Sequence, residues 1–188
     1  MAGKRLPFDP IEEARRQWRA HGGEEAAEGM AAVTSVMRAQ QIFLSRVHDV
    51  LRPFDLTFAR YEALVLLAFS RRGSLPLSKV GERLQVHPTS VTNTVDRLEA
   101  QGLVKRSPHP TDRRTTLAEI TADGRGVAER ATRALNAGPF VSTGLTEEEL
   151  QLLFGLLRTL RQAAGDFGDA LEAEGNMTAG PSPSSPPT

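Results

Sequence analysis

Two short helical patterns with almost nothing between them constrain this chain more than any other feature. Leu77, Val80 and Leu84 fall on one face of a helix of only two turns. Gln85-Val86-His87 leaves three residues for the connector. Pro88 then stands at the first position of the next helix, where its missing N–H is no loss. At 100° per residue, Val91, Val95 and Leu98 cluster within about 60° and must face a core, and Gly102 ends the helix. Two short helices across a three-residue turn make a helix-turn-helix. The outward face of the second helix carries Thr89, Ser90, Asn93, Asp96 and Arg97. Short hydrogen-bonding groups with one long cation suit base edges and phosphates in a major groove. A solvated polar face has the same composition, so the flanking sequence has to decide.

The stretch after Gly102 is basic and β-capable. Leu103-Val104-Lys105-Arg106 can form one strand, 107–112 is turn chemistry, and Arg113 to Ile120 can return as a second strand anchored by Leu117 and Ile120. Four cations (Lys105, Arg106, Arg113, Arg114) and one carboxylate lie in residues 105–114, a basic hairpin directly after the candidate recognition helix. A cation at such a tip is placed to enter a minor groove, where negative potential is focused. Asp112 is expected to hold the Arg114 guanidinium in one orientation. The chain as a whole has 23 Lys plus Arg and 23 Asp plus Glu, but residues 38–116 carry 13 and 7 of them, so a basic middle lies between acidic ends. That segregation suits a local anionic partner.

Around this centre the sequence predicts helices. Asp9-Pro10 opens a short one bearing Ile11, Ala14 and Trp18, ended by His21-Gly22-Gly23. A long one runs from about Glu25 to Arg52, with a stripe of Val33, Met37, Gln40, Leu44, Val47 and Leu51 widened by Val36, Phe43 and Val50. Pro53 stops it; Thr57 caps the next, to about Ser70. Thr121 caps a helix reaching about Asn136, and Thr146, with Glu149 in a capping box, starts the last, striped by Leu150, Leu153, Leu157 and Leu160. Stripes this wide outrun what one small subunit can cover, so a homodimer is expected. The Pro- and Ser-rich residues 173–188 read as a disordered tail.

Other function classes fall away. With no cysteine there is no disulfide framework, thiolate metal site or thiol switch. No phosphate-binding loop, dinucleotide fingerprint, zinc-protease or nucleophile-elbow motif occurs. His21, His48, His87 and His109 are scattered without ligand spacing. Catalytic residues, metals and cofactors are therefore all expected to be absent. The longest apolar run, Ala63 to Phe69, is seven residues against roughly 20 for a membrane span, and the N-terminus has no apolar export segment. A cytoplasmic, nucleoid-associated protein is expected.

The segment SKVGERLQVHPTSVTNTVDRLEAQGLVKRSPHPTDRRTTLAEITADGR resembles the winged helix-turn-helix of the multiple-antibiotic-resistance regulator (MarR) family. The resemblance rests on the recognition helix SVTNTVDRLEAQGLV, the Asp-x-Arg wing at Asp112–Arg114 and the Leu-x-x-Ile-Thr-x-x-Gly run at 117–124, and it extends over roughly residues 30–165. It implies interlocked terminal helices in a dimer, pseudo-palindromic operators and a ligand that weakens DNA binding. The extra N-terminal helix with Trp18 resembles the branch that responds to urate and related small anions. That branch implies a pocket of Trp18, the acidic Glu62 and nearby arginines. The arginine expected about seven residues after Glu62 is replaced by Phe69, leaving Arg38 or Arg60 to substitute. Urate and other small organic anions both stay open, as does a purely packing role for Trp18.

The expectation is a mainly α protein with a small β-hairpin wing. Residues 1–24 form the extra helix, 25–56 and 122–172 the helical dimerisation region, and 57–121 the winged helix-turn-helix. Its function is that of a ligand-responsive DNA-binding regulator, a repressor released from double-stranded operator DNA by a small organic anion. His87, Pro88, Thr89, Ser90, Asn93, Arg97, Lys105, Arg106, Arg113 and Arg114 are the candidate DNA contacts, with Asp112 orienting the wing. The rival is a winged helix used as a protein-interaction module. Steep loss of affinity with salt separates the two, because only the DNA reader releases counterions.

Overall fold

Asp9 accepts a hydrogen bond from the Ile11 amide at 2.8 Å and Pro10 takes the first helical position. In the computed structural model, which describes residues 6–112 and 114–168, the resulting helix α1 spans Pro10–Ala20. Every residue of α1 is at least partly exposed. It is strapped to the next helix, α2 (Glu24–Leu51), by Arg15 and Arg19, which both bond Glu28. The two guanidinium partners hold the Glu28 carboxyl below its ordinary range, Arg15 first. At the turn between the helices Gly23 lies against the Trp18 indole so closely that a Cβ would overlap the ring.

The stripe predicted along α2 divides in two. Its C-terminal end, Val47 and Leu51, is buried, whereas Val33, Val36 and Met37 are exposed, as is Ile42, which the stripe does not include. A 3-10 turn at Arg52–Phe54 and a left-handed Asp55 (φ 52°) reverse the chain. Thr57 then caps α3 (Phe58–Phe69), its hydroxyl accepting from the Arg60 amide. After α3 come β1 (Ser74–Pro76), α4 (Leu77–Leu84), α5 (Pro88–Ala100), β2 (Val104–Pro108), β3 (Thr116–Ile120) and α6 (Ala122–Asn136). The three strands form one antiparallel sheet in the order β1-β3-β2. The sequence predicts the β2–β3 hairpin but not β1. With three residues ending in a proline, β1 carries no periodicity; only its pairing with β3 makes it a strand.

One hydrophobic core runs from Val47 and Leu51 of α2 through Tyr61, Leu64 and Leu67 of α3. It continues through Val80, Val91, Val95 and Leu98 of the helix-turn-helix, Val104, Ala118 and Ile120 of the sheet, and Ala128, Ala131 and Leu135 of α6. This core crosses both boundaries expected at 56/57 and 121/122. Residues up to Ser142 form one compact unit, and those from Thr143 a second.

The second unit is built on α7 (Glu147–Ala163). Thr146 and Glu149 close the predicted capping box: the Thr146 amide donates to Glu149 Oε2 at 2.8 Å, and the Glu149 amide donates to the Thr146 hydroxyl. Leu152, Phe154, Leu156 and Leu160 of α7 are exposed. Arg158 and Arg161 of α7 lie 5.2 and 5.4 Å from the centre of the Phe167 ring, which follows the helix. Among the described residues no helix is long and apolar enough to cross a membrane. The tail expected at 173–188 lies outside the described residues.

Candidate nucleic-acid interface

The core holds α5 by its inner face. Val91, Val95 and Leu98 are buried at 3% exposure or less, which forces Thr89, Ser90, Asn93, Asp96 and Arg97 outward, and all five are exposed or half-buried at the surface. Gly81 of α4 makes the close crossing possible: a Cβ there would stand 3.0 Å from Val91 Cγ2 and 3.2 Å from the Val86 carbonyl. Left-handed Gln85 (φ 54°) makes the turn. His87 caps α5, its Nδ1 accepting from the Thr89 amide at 3.3 Å. The start of α5 thus presents exposed Pro88, Thr89 and Ser90 at the positive end of the helix dipole.

The wing comes next in the chain. Its tip is closed by the His109 amide donating to the Thr115 carbonyl at 3.0 Å. Asp112 is the keystone, but not as expected. Oδ1 accepts from the Arg114 amide at 3.0 Å and Oδ2 from the Thr115 hydroxyl at 2.7 Å. These bonds, the Thr115 hydroxyl foremost, hold its carboxyl below the usual range. Asp112 therefore orients the backbone of the tip rather than the Arg114 guanidinium, and the Arg114 side chain is exposed. Arg113 lies outside the described residues.

The two cations of β2 part company. The register sets Lys105 opposite Glu119 and Arg106 opposite Ala118, so the pair point to opposite faces of the sheet. Lys105 is exposed and bridges Glu119 at 3.1 Å. Arg106 turns inward onto α5. Its Nη2 meets Asp96 Oδ1 at 2.6 Å, its Nη1 bonds Glu99 Oε2, and its amide donates to Glu99 Oε1 at 2.9 Å. Asp96 and Glu99 lie three residues apart on α5. That spacing was the signal in the sequence, legible only once β2 is known to pack there.

A helix with an outward polar face, a three-residue turn before it and a stiffened basic hairpin after it recur together in known proteins. The MarR family model matches residues 56–116. Sco5413 of Streptomyces coelicolor, a MarR family transcriptional regulator, is 58% identical over 76% of this chain and 99% of its own, with a TM-score of 0.69.

This chain belongs to the MarR family.

Two further structures are similar at 25% identity. Sco3205, a MarR family regulator from Streptomyces coelicolor in complex with DNA, covers 73% of this chain and 92% of its own (TM-score 0.65). CouR of Rhodococcus jostii RHA1, bound to p-coumaroyl-CoA, covers 71% and 92% (TM-score 0.60). The family consists of DNA-binding transcriptional regulators, not enzymes, and this MarR chain is one of them.

The residues expected to form the ligand pocket lie on three helices of this chain: Trp18 on α1, Arg38 on α2, and Arg60 and Glu62 on α3. Trp18, 48% exposed, lines a notch at the α1–α2 turn with Gln17, His21, Gly22 and Gly23. Arg38 lies well along α2 and bonds Gln41. Arg60 bonds the Thr57 hydroxyl on α3. Glu62, also on α3, is half-buried, and desolvation pushes its carboxyl up. Glu28, where α1 is strapped, and Val47, where α2 joins the α3 core, are 19 residues apart on α2, roughly 28 Å at a rise of about 1.5 Å per residue. One link went unforeseen. Gln101, capping the end of α5, donates to the Asp55 carbonyl at 2.9 Å and to its carboxylate at 2.7 Å, tying that helix to the turn between α2 and α3.

Proposed function

We propose that this protein binds a pseudo-palindromic operator as a homodimer, represses transcription there, and is released by a small organic anion. The observation that carries DNA reading is the outward row of Thr89, Ser90, Asn93 and Arg97 on a helix held rigidly from behind. In this proposal Asn93 and Arg97 meet base edges in the major groove. His87, Pro88, Thr89 and Ser90 bring the start of α5 to the backbone, and Lys105, Arg113 and Arg114 hold phosphates or enter the minor groove. The DNA-bound state of the similar Sco3205 supports it. Dimerisation is supported by the uncovered apolar faces: Val33, Val36, Met37 and Ile42 on α2, and Leu152, Phe154, Leu156 and Leu160 on α7. A second copy of the same chain is their natural cover.

The effector is suggested by the p-coumaroyl-CoA bound by the similar CouR, and by the candidate seat residues Trp18, Arg38, Arg60 and Glu62. A seat that uses both Trp18 and Glu62 draws them from two subunits. Release requires the ligand to bind the DNA-free arrangement more tightly; about 1–3 kcal/mol of coupling changes affinity roughly 5- to 150-fold. The test is a gel shift on DNA upstream of the protein's own gene across a salt series, followed by a thermal-shift screen of small organic anions. Affinity falling steeply with salt is expected. Affinity indifferent to salt and sequence would favour a protein-interaction module instead. Trp18 is the only tryptophan, so an anion that releases DNA without altering its fluorescence, and still acts on Trp18→Ala, would remove it from the seat.

A further inference from the structure

We propose that Arg106 is the residue that sets the angle of the wing against the recognition helix, and that it does not hold DNA. This rests on the reading of α5 and the wing as the DNA interface. It concerns how the two parts are kept in register.

The chain passes from α5 into β2 through Gln101-Gly102-Leu103, with Gly102 in the left-handed region (φ 71°). The Gly102 and Leu103 amides close the end of α5 by donating to the Glu99 and Leu98 carbonyls, both at 2.9 Å, and Leu103 and Val104 seat the base of β2 in the core. A protein that touches a major groove with a helix and a neighbouring groove with a hairpin must also fix the rest of the hairpin at one spacing. Beyond Val104, Arg106 supplies the brace. It stands on the face of β2 that meets α5, opposite Lys105. Its guanidinium spans Asp96 and Glu99, and its Nη2 also reaches the Thr92 carbonyl at 3.4 Å. Glu99 takes the Arg106 backbone amide as well, so a single carboxylate grips both the strand and its side chain. These bonds cover two turns of α5, from 92 to 99, and therefore resist both sliding and rotation.

Charge argues the same way. Arg106, Asp96 and Glu99 together carry one net negative charge. Were the guanidinium to swing to a phosphate, two carboxylates would be left uncompensated on the DNA-facing helix. The Arg106 side chain is only 26% exposed, so its pairs are screened less than open surface pairs. Arg114, exposed at the tip, has no such engagement among the ion pairs of the described residues.

The test compares Arg106→Ala, Arg106→Lys, Glu99→Gln and Arg114→Ala with the full-length wild type. Fluorescence anisotropy is read on a duplex from upstream of the protein's own gene at several salt concentrations, with hydroxyl-radical footprints. Removing a cation that neutralises a phosphate should lower the slope of log K against log salt by about 1 per subunit. Arg114→Ala is expected to do so. Arg106→Ala is expected to bind about 5- to 50-fold more weakly with the slope unchanged, and to lose protection under the wing while keeping it under α5. Glu99→Gln should do the same although it removes a negative charge, and adding it to Arg106→Ala should cost little more. Arg106→Lys, which keeps the charge but not the fork, should restore only part. A slope lowered by Arg106→Ala, wild-type affinity in Arg106→Lys, or tighter binding by Glu99→Gln would overturn the brace and make Arg106 a DNA ligand. If Arg106→Ala fails to fold, Arg106→Lys and Glu99→Gln decide alone. A wild type without salt-dependent DNA affinity would overturn the DNA reading and the brace together.

Discussion

Glu62 shows how one side chain can be set against the stability of its own fold. Burial raises its carboxyl above the ordinary value, so the folded state binds this proton more tightly than the unfolded chain. Its contribution therefore favours folding as pH falls through the raised value and opposes folding above it. Glu62→Gln is expected to raise the melting temperature at pH 7 and to flatten the pH dependence above the ordinary carboxylate range. An unchanged melting temperature at pH 7 would mean that solvent reaches the carboxylate after all. On α5, Asn93→Ala and Arg97→Ala should each cost about 1–3 kcal/mol at matched base pairs and shift sequence preference. Equal losses on every operator variant would make them backbone contacts.

At the scale of elements, close approach matters more than propensity. Gly124 sits in the first turn of α6, where a Cβ would overlap the Leu103 carbonyl oxygen. Gly124→Ala should therefore push α6 off the sheet and destabilise by about 1–3 kcal/mol. Calorimetry should show a melting temperature lower by roughly 2–4 °C for each kcal/mol. An unaltered melt would show that the helix can shift without strain. Starts of helices were legible in the sequence because their signals are local: Asp9, Thr57, Thr121 and Thr146 each cap a helix as expected. The buried face of α5 was legible because three residues at helical spacing suffice. Strand β1 was not, since its identity comes from β3. The inward turn of Arg106 was not, since it depends on two acids supplied by another element. Asp112 was recognised as an organiser of the wing, but its object is backbone, which residue identity alone does not reveal. The proposed effector seat draws on three helices, α1, α2 and α3, and no local signal in the sequence links them.

For the whole molecule, the apolar residues left open on α2 and α7 predict the assembly. Light scattering at micromolar concentration should give about twice the 20.4 kDa chain mass. Leu156→Glu, on the exposed face of α7, should shift it toward one. A wild-type chain that stays folded at 20.4 kDa would end the dimer proposal. The shared core has a mechanical corollary. Because Val47 and Leu51 pack with the residues that seat α5, and Gln101 grips Asp55, the recognition helix is fixed to the end of α2 rather than hung from a linker. Two such protomers would work as a pair of calipers, each arm rigid and the joint confined to where the copies meet. In such a pair, a change of about one base step, roughly 3.4 Å, in the gap between the tips would make both points miss their marks together.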